Sequence, residues 1–342
     1  MVTLNRNNLI SRSASNLLRI MFESCVLVHH LASSSNPFIQ EIIWALGPMA
    51  VSGFILLSGF GVGMSYKKRG APYLSKLIKQ RVPRTYGLIV LTDFFYILLF
   101  FIEEQKFNGV FGFIVSVLYL PVFKEFSYLS RWVYFLADLI VYYLMFFVVG
   151  HILKKRKNSL LKTAVTIFCV QALIVTVVSV INAVTGNSGS LRGCFMFPMG
   201  LLIANYSEEL TSVVRKYKYE LVTGLFLVAT LFFFSWDGLF ADEYVIGSLF
   251  ALSLFFLFHG FEIRSHVLDI CSHLILFVYL SHELVFKSIW FMFPALSWQL
   301  RMLSTLVLVL GATALLYGII YYKCIAIHKK RRLLSGDTLT QR

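Results

Sequence analysis

The sequence predicts an all-α, polytopic integral membrane protein, and three observations predict it. Hydrophobic residues make up 58% of the 342 and charged residues 14%, with a mean hydropathy of +0.75. A soluble domain of this size cannot hide so much apolar surface from water. The apolar residues fall in runs of the length a helix needs to cross a bilayer, about 20 residues. The Lys and Arg residues sit in short clusters between those runs, as topology signals do.

Ten runs reach or approach a spanning length: 16–33, 42–65, 86–102, 132–152, 160–184, 191–206, 220–236, 244–260, 272–292 and 300–323. An eleventh, 110–122, is short and ends at Pro121, which reads as re-entrant or interfacial. Charge supports that choice. With the N-terminus in the cytoplasm, 24 of the 31 basic residues fall on the cytoplasmic side, as the positive-inside rule requires. Making 110–122 a full crossing would throw Lys154, Lys155, Arg156 and Lys157 outside. Both termini are therefore expected in the cytoplasm. Residues 1–325 read as one transmembrane domain and 326–342 as a basic cytoplasmic tail, disordered beyond Lys329.

The same pattern narrows the function classes. A net charge of +14 suggests nucleic acid only when the cations share a soluble surface; distributed between apolar runs they do not, and no nucleic-acid partner is expected. Cys25, Cys169, Cys194, Cys271 and Cys324 show no metal-ligand spacing, so neither a disulfide framework nor a metal site is expected. The polar first 15 residues lead into a segment carrying Arg and Glu, which argues against a cleaved signal peptide.

Chemistry concentrates in the first span. Arg19 and His30 are separated by ten residues; eleven steps of about 100° return a helix to within about 20° of its start, so both share one face, roughly 16 Å apart along the axis. Glu23 falls on the same stripe, while His29 points about 100° away from His30. A charge near the bilayer centre costs about 2.5 to 3.5 kcal/mol even on lenient scales, so the stripe must face protein or a water-filled cavity. Two readings are open: a functional stripe linking the two sides of a cavity, or an Arg19 that snorkels to the interface with Glu23 as partner and a His30 capped near the outer surface.

Four further motifs follow in order. The second span carries Gly53-Phe54-Ile55-Leu56-Leu57-Ser58-Gly59-Phe60, small residues that admit a close neighbour. Next comes the basic block with Lys76, Lys79, Arg81 and Arg84, then Tyr86 and Gly87; it suits phosphate groups, or anionic lipid. Trp132 opens the fourth span with Tyr134 and Leu136, where a boundary Trp also serves as an interfacial anchor. Late in the chain, Ser272 precedes Tyr279, Leu280, Ser281 and His282, with His282 near mid-membrane.

This ordered set resembles the acyltransferase 3 family of membrane O-acyltransferases, whose motifs are Arg, ten residues, His; aromatic-x-x-x-Ser-Gly-Phe; Arg-x-x-Arg with an aromatic and usually proline; Trp-aromatic-Leu; and Ser followed by Tyr-Leu-x-His. The likeness spans roughly residues 16–290. Gly87 stands where the proline is expected, Glu23 lies within the Arg-His stripe, and Asn16 and Leu17 stand where the family has an acid before the Arg.

The resemblance implies transfer of an acyl group, most often acetyl, from cytoplasmic acetyl-CoA to a hydroxyl of a cell-surface glycan or its lipid-linked precursor, in a bacterial cytoplasmic membrane. On that expectation His30 is the base, Arg19 binds or polarises the donor and Glu23 holds Arg19. Arg81 and Arg84, with Lys76 and Lys79, hold the coenzyme A phosphates. Ser58, Gly59, Trp132, Tyr279 and His282 line the cavity or pack helices. Expected partners are acyl-CoA, the glycan acceptor, membrane lipids and other envelope-polysaccharide biosynthesis proteins. A covalent acyl-enzyme on His30 or a serine is a variant of the same chemistry, and acceptor choice is expected from the cavity and the aromatic 103–131 segment. The alternative is an exporter or flippase-like transporter of a polysaccharide or its precursor, which has no need of a coenzyme A site.

Overall fold

A computed structural model of the chain describes residues 2–4, 9–32, 36–83, 85–87, 90, 94, 134–185, 195–235, 243–263 and 265–334. The elements in order are β1 (Val2–Leu4), α1 (Arg12–Leu31), α2 (Pro37–Arg69), α3 (Pro72–Lys76), a π-helical turn (Leu77–Arg81), α4 (Tyr134–Leu153), α5 (Ser159–Thr185), α6 (Met196–Asn205), α7 (Ser207–Ser235), α8 (Glu243–Leu257), β2 (Phe261–Ile263), α9 (His266–Met292) and α10 (Trp298–Leu334). They form two compact units, Met1–Ser272 and His273–Arg342, so the division falls inside α9.

Helix ends follow local chemistry. The Ser11 hydroxyl caps α1 by accepting from the Ala14 N–H at 3.0 Å. Asn36 caps α2 by accepting from Phe38 and Ile39, and Pro37 takes the first helical position, where a missing N–H costs nothing. Gly70, at φ 66°, ends α2 in a conformation open to glycine. α7 is two helices in one: Tyr217, at φ −122° and ψ 31°, breaks it beside Lys216 and Lys218.

α2 is the centre of the first unit and packs on α1, α6 and α8. Glycine makes these approaches close. A Cβ at Gly59 would collide with the Phe197 carbonyl of α6, one at Gly200 with the Leu56 carbonyl of α2, and one at Gly63 would sit 2.6 Å from the Ala204 Cβ. Gly59-x-x-x-Gly63 thus faces Gly200-x-x-x-Ala204, the small-residue pairing that lets helix backbones touch in lipid. α8 joins through Gly247, whose Cβ would meet Met49 N at 2.6 Å, and through a Ser248 to Ser52 hydroxyl bond of 3.2 Å. α1 runs antiparallel to α2: Phe22 lies against Gly53 and His29 against Gly47.

The all-α expectation needs one correction. β1 pairs antiparallel with β2, Thr3 opposite Glu262, tying the chain start to the segment after α8. Around it Ser11 donates to the Phe261 carbonyl at 2.6 Å, the Ile263 N–H donates to Ser13 and the His259 Nδ1–H donates to the Leu9 carbonyl at 2.8 Å. Strand pairing uses backbone groups, which the apolar-run reading does not see.

Among the described residues three helices are long and apolar enough to cross a membrane: Pro37–Arg69, Ser159–Val177 and Trp298–Leu315, with a fourth if α9 counts as one span. Asp138–Leu153, Met196–Asn205 and Val245–Leu257 are apolar but short. α1 has the length, at 20 residues, while its polar stripe keeps it out of that set. The expected span at 86–102 and the 110–122 segment lie almost wholly outside the described residues.

In the second unit, the Arg301 guanidinium lies 3.9 Å from the Trp290 ring centroid and donates to the Pro294 carbonyl. Trp298 meets both Trp290 and Phe286 edge to face, and together these residues close the turn between α9 and α10.

Candidate active site

The stripe on α1 is longer than its three predicted members. Asn16, Arg19, Glu23 and His30 recur at helical spacing, with Arg12 at the start. Asn16 is buried and its side-chain amide donates to Asp269 of α9 at 2.7 Å. A carboxylate therefore reaches α1 one turn before Arg19, supplied from a distant segment instead of from α1 itself. Asp269 also lines an open cleft of ≈ 440 Å³ with Arg12, Ser13, Glu262, Ile263, Ser265 and His266.

Arg19 is half-buried and lies in electrostatic range of Tyr143 on α4, of Arg81 and of Arg12. Glu23 is 4% exposed, and neither carboxylate oxygen has a hydrogen-bond partner among the described residues. No ion pair joins it to Arg19; among the described residues the one ion pair is Lys67 with Glu208. The order explains this, because an Arg four residues before a Glu is the less favourable arrangement on a helix. Glu23 therefore stands on the Arg19 stripe without holding Arg19.

His30 is half-buried near the opposite end of α1. Its ring meets that of His29 edge to face, centroids 4.6 Å apart at 68°. His29 in turn donates from Nδ1 to the Ile43 carbonyl of α2 at 3.1 Å and covers Gly47. Sequence spacing set His29 aside as lying off the stripe. The signal that points to it is Gly47-Pro48 in a helix, a notch beside an interrupted hydrogen-bond ladder.

At the Arg12 end of the unit the basic blocks converge. The end of α2 meets the start of α5 through Tyr66 and Ser159, whose hydroxyls lie 3.3 Å apart. It meets the α6–α7 junction through Lys67, which donates to the Asn205 carbonyl and to Glu208 at 2.9 Å. Leu74 of α3 packs against Gly150 of α4, just before Lys154 to Lys157. The Lys67 ammonium holds the exposed Glu208 carboxyl below its ordinary range. Lys218 donates to the His259 carbonyl at 3.2 Å, and its partial burial lowers its ammonium from the ordinary value.

Lys76, Lys79 and Arg81 are all exposed here. The turn that carries Lys79 and Arg81 is π-helical, with the Val82 N–H bonded to the Leu77 carbonyl. Such a widened turn re-aims side chains and recurs at functional sites. Arg84 lies outside the described residues, as do Trp132 and the 103–131 segment. Ser58 is half-buried on α2, and Gly59 beside it is the contact to Phe197. In the second unit Tyr279 and His282 are buried with ring centroids 5.8 Å apart, and His282 bonds the Val278 carbonyl from Nδ1 at 3.2 Å.

The structure thus gives a polar stripe that starts among exposed cations and ends at a pair of imidazoles, inside an apolar helical body. Cations suit phosphate, and an imidazole suits proton transfer to or from a hydroxyl. No curated protein and no solved structure matches the chain. The family model described as an acyltransferase domain matches residues 12–322, which takes in the stripe, the basic turn and both buried His282 and Tyr279. The chain belongs to this acyltransferase 3 family, whose members are membrane-embedded acyltransferases.

Proposed function

We propose that the protein is a membrane O-acetyltransferase that moves acetyl from cytoplasmic acetyl-CoA to a hydroxyl of a cell-surface glycan or its lipid-linked precursor. The observation that carries the reading is that Arg81, exposed on the basic turn, lies in electrostatic range of Arg19, half-buried on the helix that ends at His30. In this reading the Arg12 end, where the basic blocks converge, faces the cytoplasm. Ten spans with both termini cytoplasmic complete the topology, in a bacterial cytoplasmic membrane.

Lys76, Lys79, Arg81 and Arg84 hold the phosphates of coenzyme A, for which paired guanidinium and ammonium groups are suited. Arg19 binds the donor between those cations and His30. The acceptor oxygen attacks the carbonyl carbon, its proton passes to His30, the C–S bond breaks and the coenzyme A thiolate takes the proton from the imidazolium. One positioned base is sufficient for this sequence, a contribution worth about 10²- to 10⁴-fold. Glu23, buried on the same stripe, adds a carboxyl to it.

The test follows labelled acetyl from acetyl-CoA into cell-envelope glycans in membranes holding wild-type protein, His30→Ala, or neither. Label that depends on wild-type protein and is lost in His30→Ala is the expected result. Equal label in all three, with no acetyl-CoA binding by purified protein, overturns the reading and leaves transport of the polysaccharide.

A further inference from the structure

We infer that His29 is a positioning residue for His30, seated in a notch that α2 makes at Gly47; the inference rests on the reading of His30 as the base. Adjacent helical residues point about 100° apart, so when His30 lies on the stripe His29 must leave it. In the structure it turns to α2. Its Nδ1 faces the Ile43 carbonyl at 3.1 Å. A carbonyl only accepts, so the hydrogen sits on Nδ1 and the tautomer of the neutral ring is fixed.

The ring also lies hard against α2 one turn further on. A Cβ at Gly47 would stand 2.8 Å from His29 Cδ2 and 2.9 Å from Cε1 and Cγ, closer than real side-chain contacts allow. Glycine at 47 is thus the condition for the ring to lie where it does. Pro48 follows and has no N–H to offer the Trp44 carbonyl, so the α2 hydrogen-bond ladder lacks a rung one residue after the notch. Held by a hydrogen bond and by the floor of the notch, His29 presents a fixed surface to the His30 ring at 4.6 Å and 68°.

A base must come within about 2.6 to 3.2 Å of the proton it takes, and a misplacement of about 1 Å costs on the order of 10²-fold in rate. Fixing His30 is therefore a kinetic contribution separate from donor binding. The donor-binding cations lie toward the other end of α1, where Arg19 stands roughly 16 Å from His30 along the axis.

The experiment measures initial rates of label transfer from acetyl-CoA into envelope glycans, in membranes, against acetyl-CoA concentration, normalised to folded protein by detergent size-exclusion. It compares wild type with His29→Ala, His29→Asn, Gly47→Ala, the double variant His29→Ala/Gly47→Ala, and His30→Ala. The Asn amide nitrogen takes the place of Nδ1 and can donate to Ile43. Expected are loss of transfer in His30→Ala and a kcat about 10- to 100-fold lower in His29→Ala with KM for acetyl-CoA within about 2-fold. His29→Asn recovers most of the rate. Gly47→Ala lowers kcat in the wild-type background and adds nothing in the His29→Ala background, the signature of a shared contact. If His30→Ala is inactive while His29→Ala keeps the wild-type kcat, or if His29→Asn is as slow as His29→Ala, the inference fails and the reading of His30 stands. If His30→Ala remains active, the reading of His30 fails and the inference with it.

Discussion

Replacing Gly59 by alanine adds one methyl group at a helix contact where the obstacle is backbone. That methyl would stand 3.0 Å from the Phe197 carbonyl carbon, 3.1 Å from its Cα, and closer still to the carbonyl oxygen, where ordinary contact begins at 3.4 Å. The obstacle is backbone, so no side chain can swing away, and α6 must move as a body by several tenths of an ångström. It cannot slide along α2 either, because Gly200 is already lodged against Leu56 and Phe60. A gap of about 0.5 to 1 Å forfeits a quarter to a half of each dispersion contact along the seam, and overpacked cores lose about 1 to 3 kcal/mol. We expect Gly59→Ala to destabilise by about 2 to 3 kcal/mol on that basis. Gly61, two residues on, has nothing within 4 Å of the equivalent position. Alanine there gains up to about 1 kcal/mol of helix propensity. The assay is the fraction of monodisperse protein left in detergent after heating. Gly59→Ala should melt lowest, wild type next, and Gly61→Ala at or above wild type. If Gly59→Ala melts with or above Gly61→Ala, the α2–α6 contact is not as close as described.

Three further outcomes follow from the same structure. Phe22, 1% exposed between α1 and Gly53, meets Phe54 edge to face at 5.8 Å; Phe22→Ala should cost about 3 to 5 kcal/mol in the same melting assay, and a loss under about 1 kcal/mol would remove the α1–α2 contact as described. Lys79→Gln/Arg81→Gln should raise KM for acetyl-CoA at least about 10-fold, since one charge-assisted bond is worth about 1.5 to 3 kcal/mol; unchanged KM with unchanged kcat would reduce the turn to a topology signal. Lys67 holds the Glu208 carboxyl below its ordinary 4.5, so its contribution to stability is complete above about pH 4.5 and fades as pH falls through the folded value. The melting difference between wild type and Glu208→Gln should therefore be present at neutral pH and vanish in acid, and a difference that grows in acid would reverse the sign.

What was legible in the sequence followed from periodicity. The runs expected at 16–33, 42–65, 160–184 and 300–323 coincide with α1, α2, α5 and α10, because long apolar stretches bounded by Ser11, Asn36 and Gly70 have one way to satisfy their backbone. Their ends were less legible: α2 reaches from Pro37 to Arg69, since its caps lie beyond the apolar run. The break at Tyr217 and the π turn at Leu77–Arg81 left no trace in hydropathy, as both are departures of backbone geometry within polar stretches. The strand pair at Val2–Leu4 and Phe261–Ile263 joins segments over 250 residues apart, a distance no local pattern spans.

The stripe was legible as a stripe and illegible as a site. Helical spacing alone aligned Arg19, Glu23 and His30; it could not show that Arg81 lies in electrostatic range of Arg19, that Asn16 borrows Asp269, or that His29 is the ring in contact with both α2 and His30. Those are relations between elements, and their trace lies in the partner helix, not in α1. α1 is too polar to enter the set of helices able to cross a membrane unaided, yet it must lie against one that does. The seats are on α2: Phe22 occupies the place a side chain at Gly53 would take, and His29 the place at Gly47. Each glycine removes bulk where α1 brings a ring, so packing, which in lipid is the main force between helices, holds in place a helix whose own transfer energy is poor. The positions that let the protein carry an arginine, a glutamate and two histidines within an apolar body are therefore glycines on its neighbour, and substitutions there should act on the α1 stripe before they act on the fold of α2 itself.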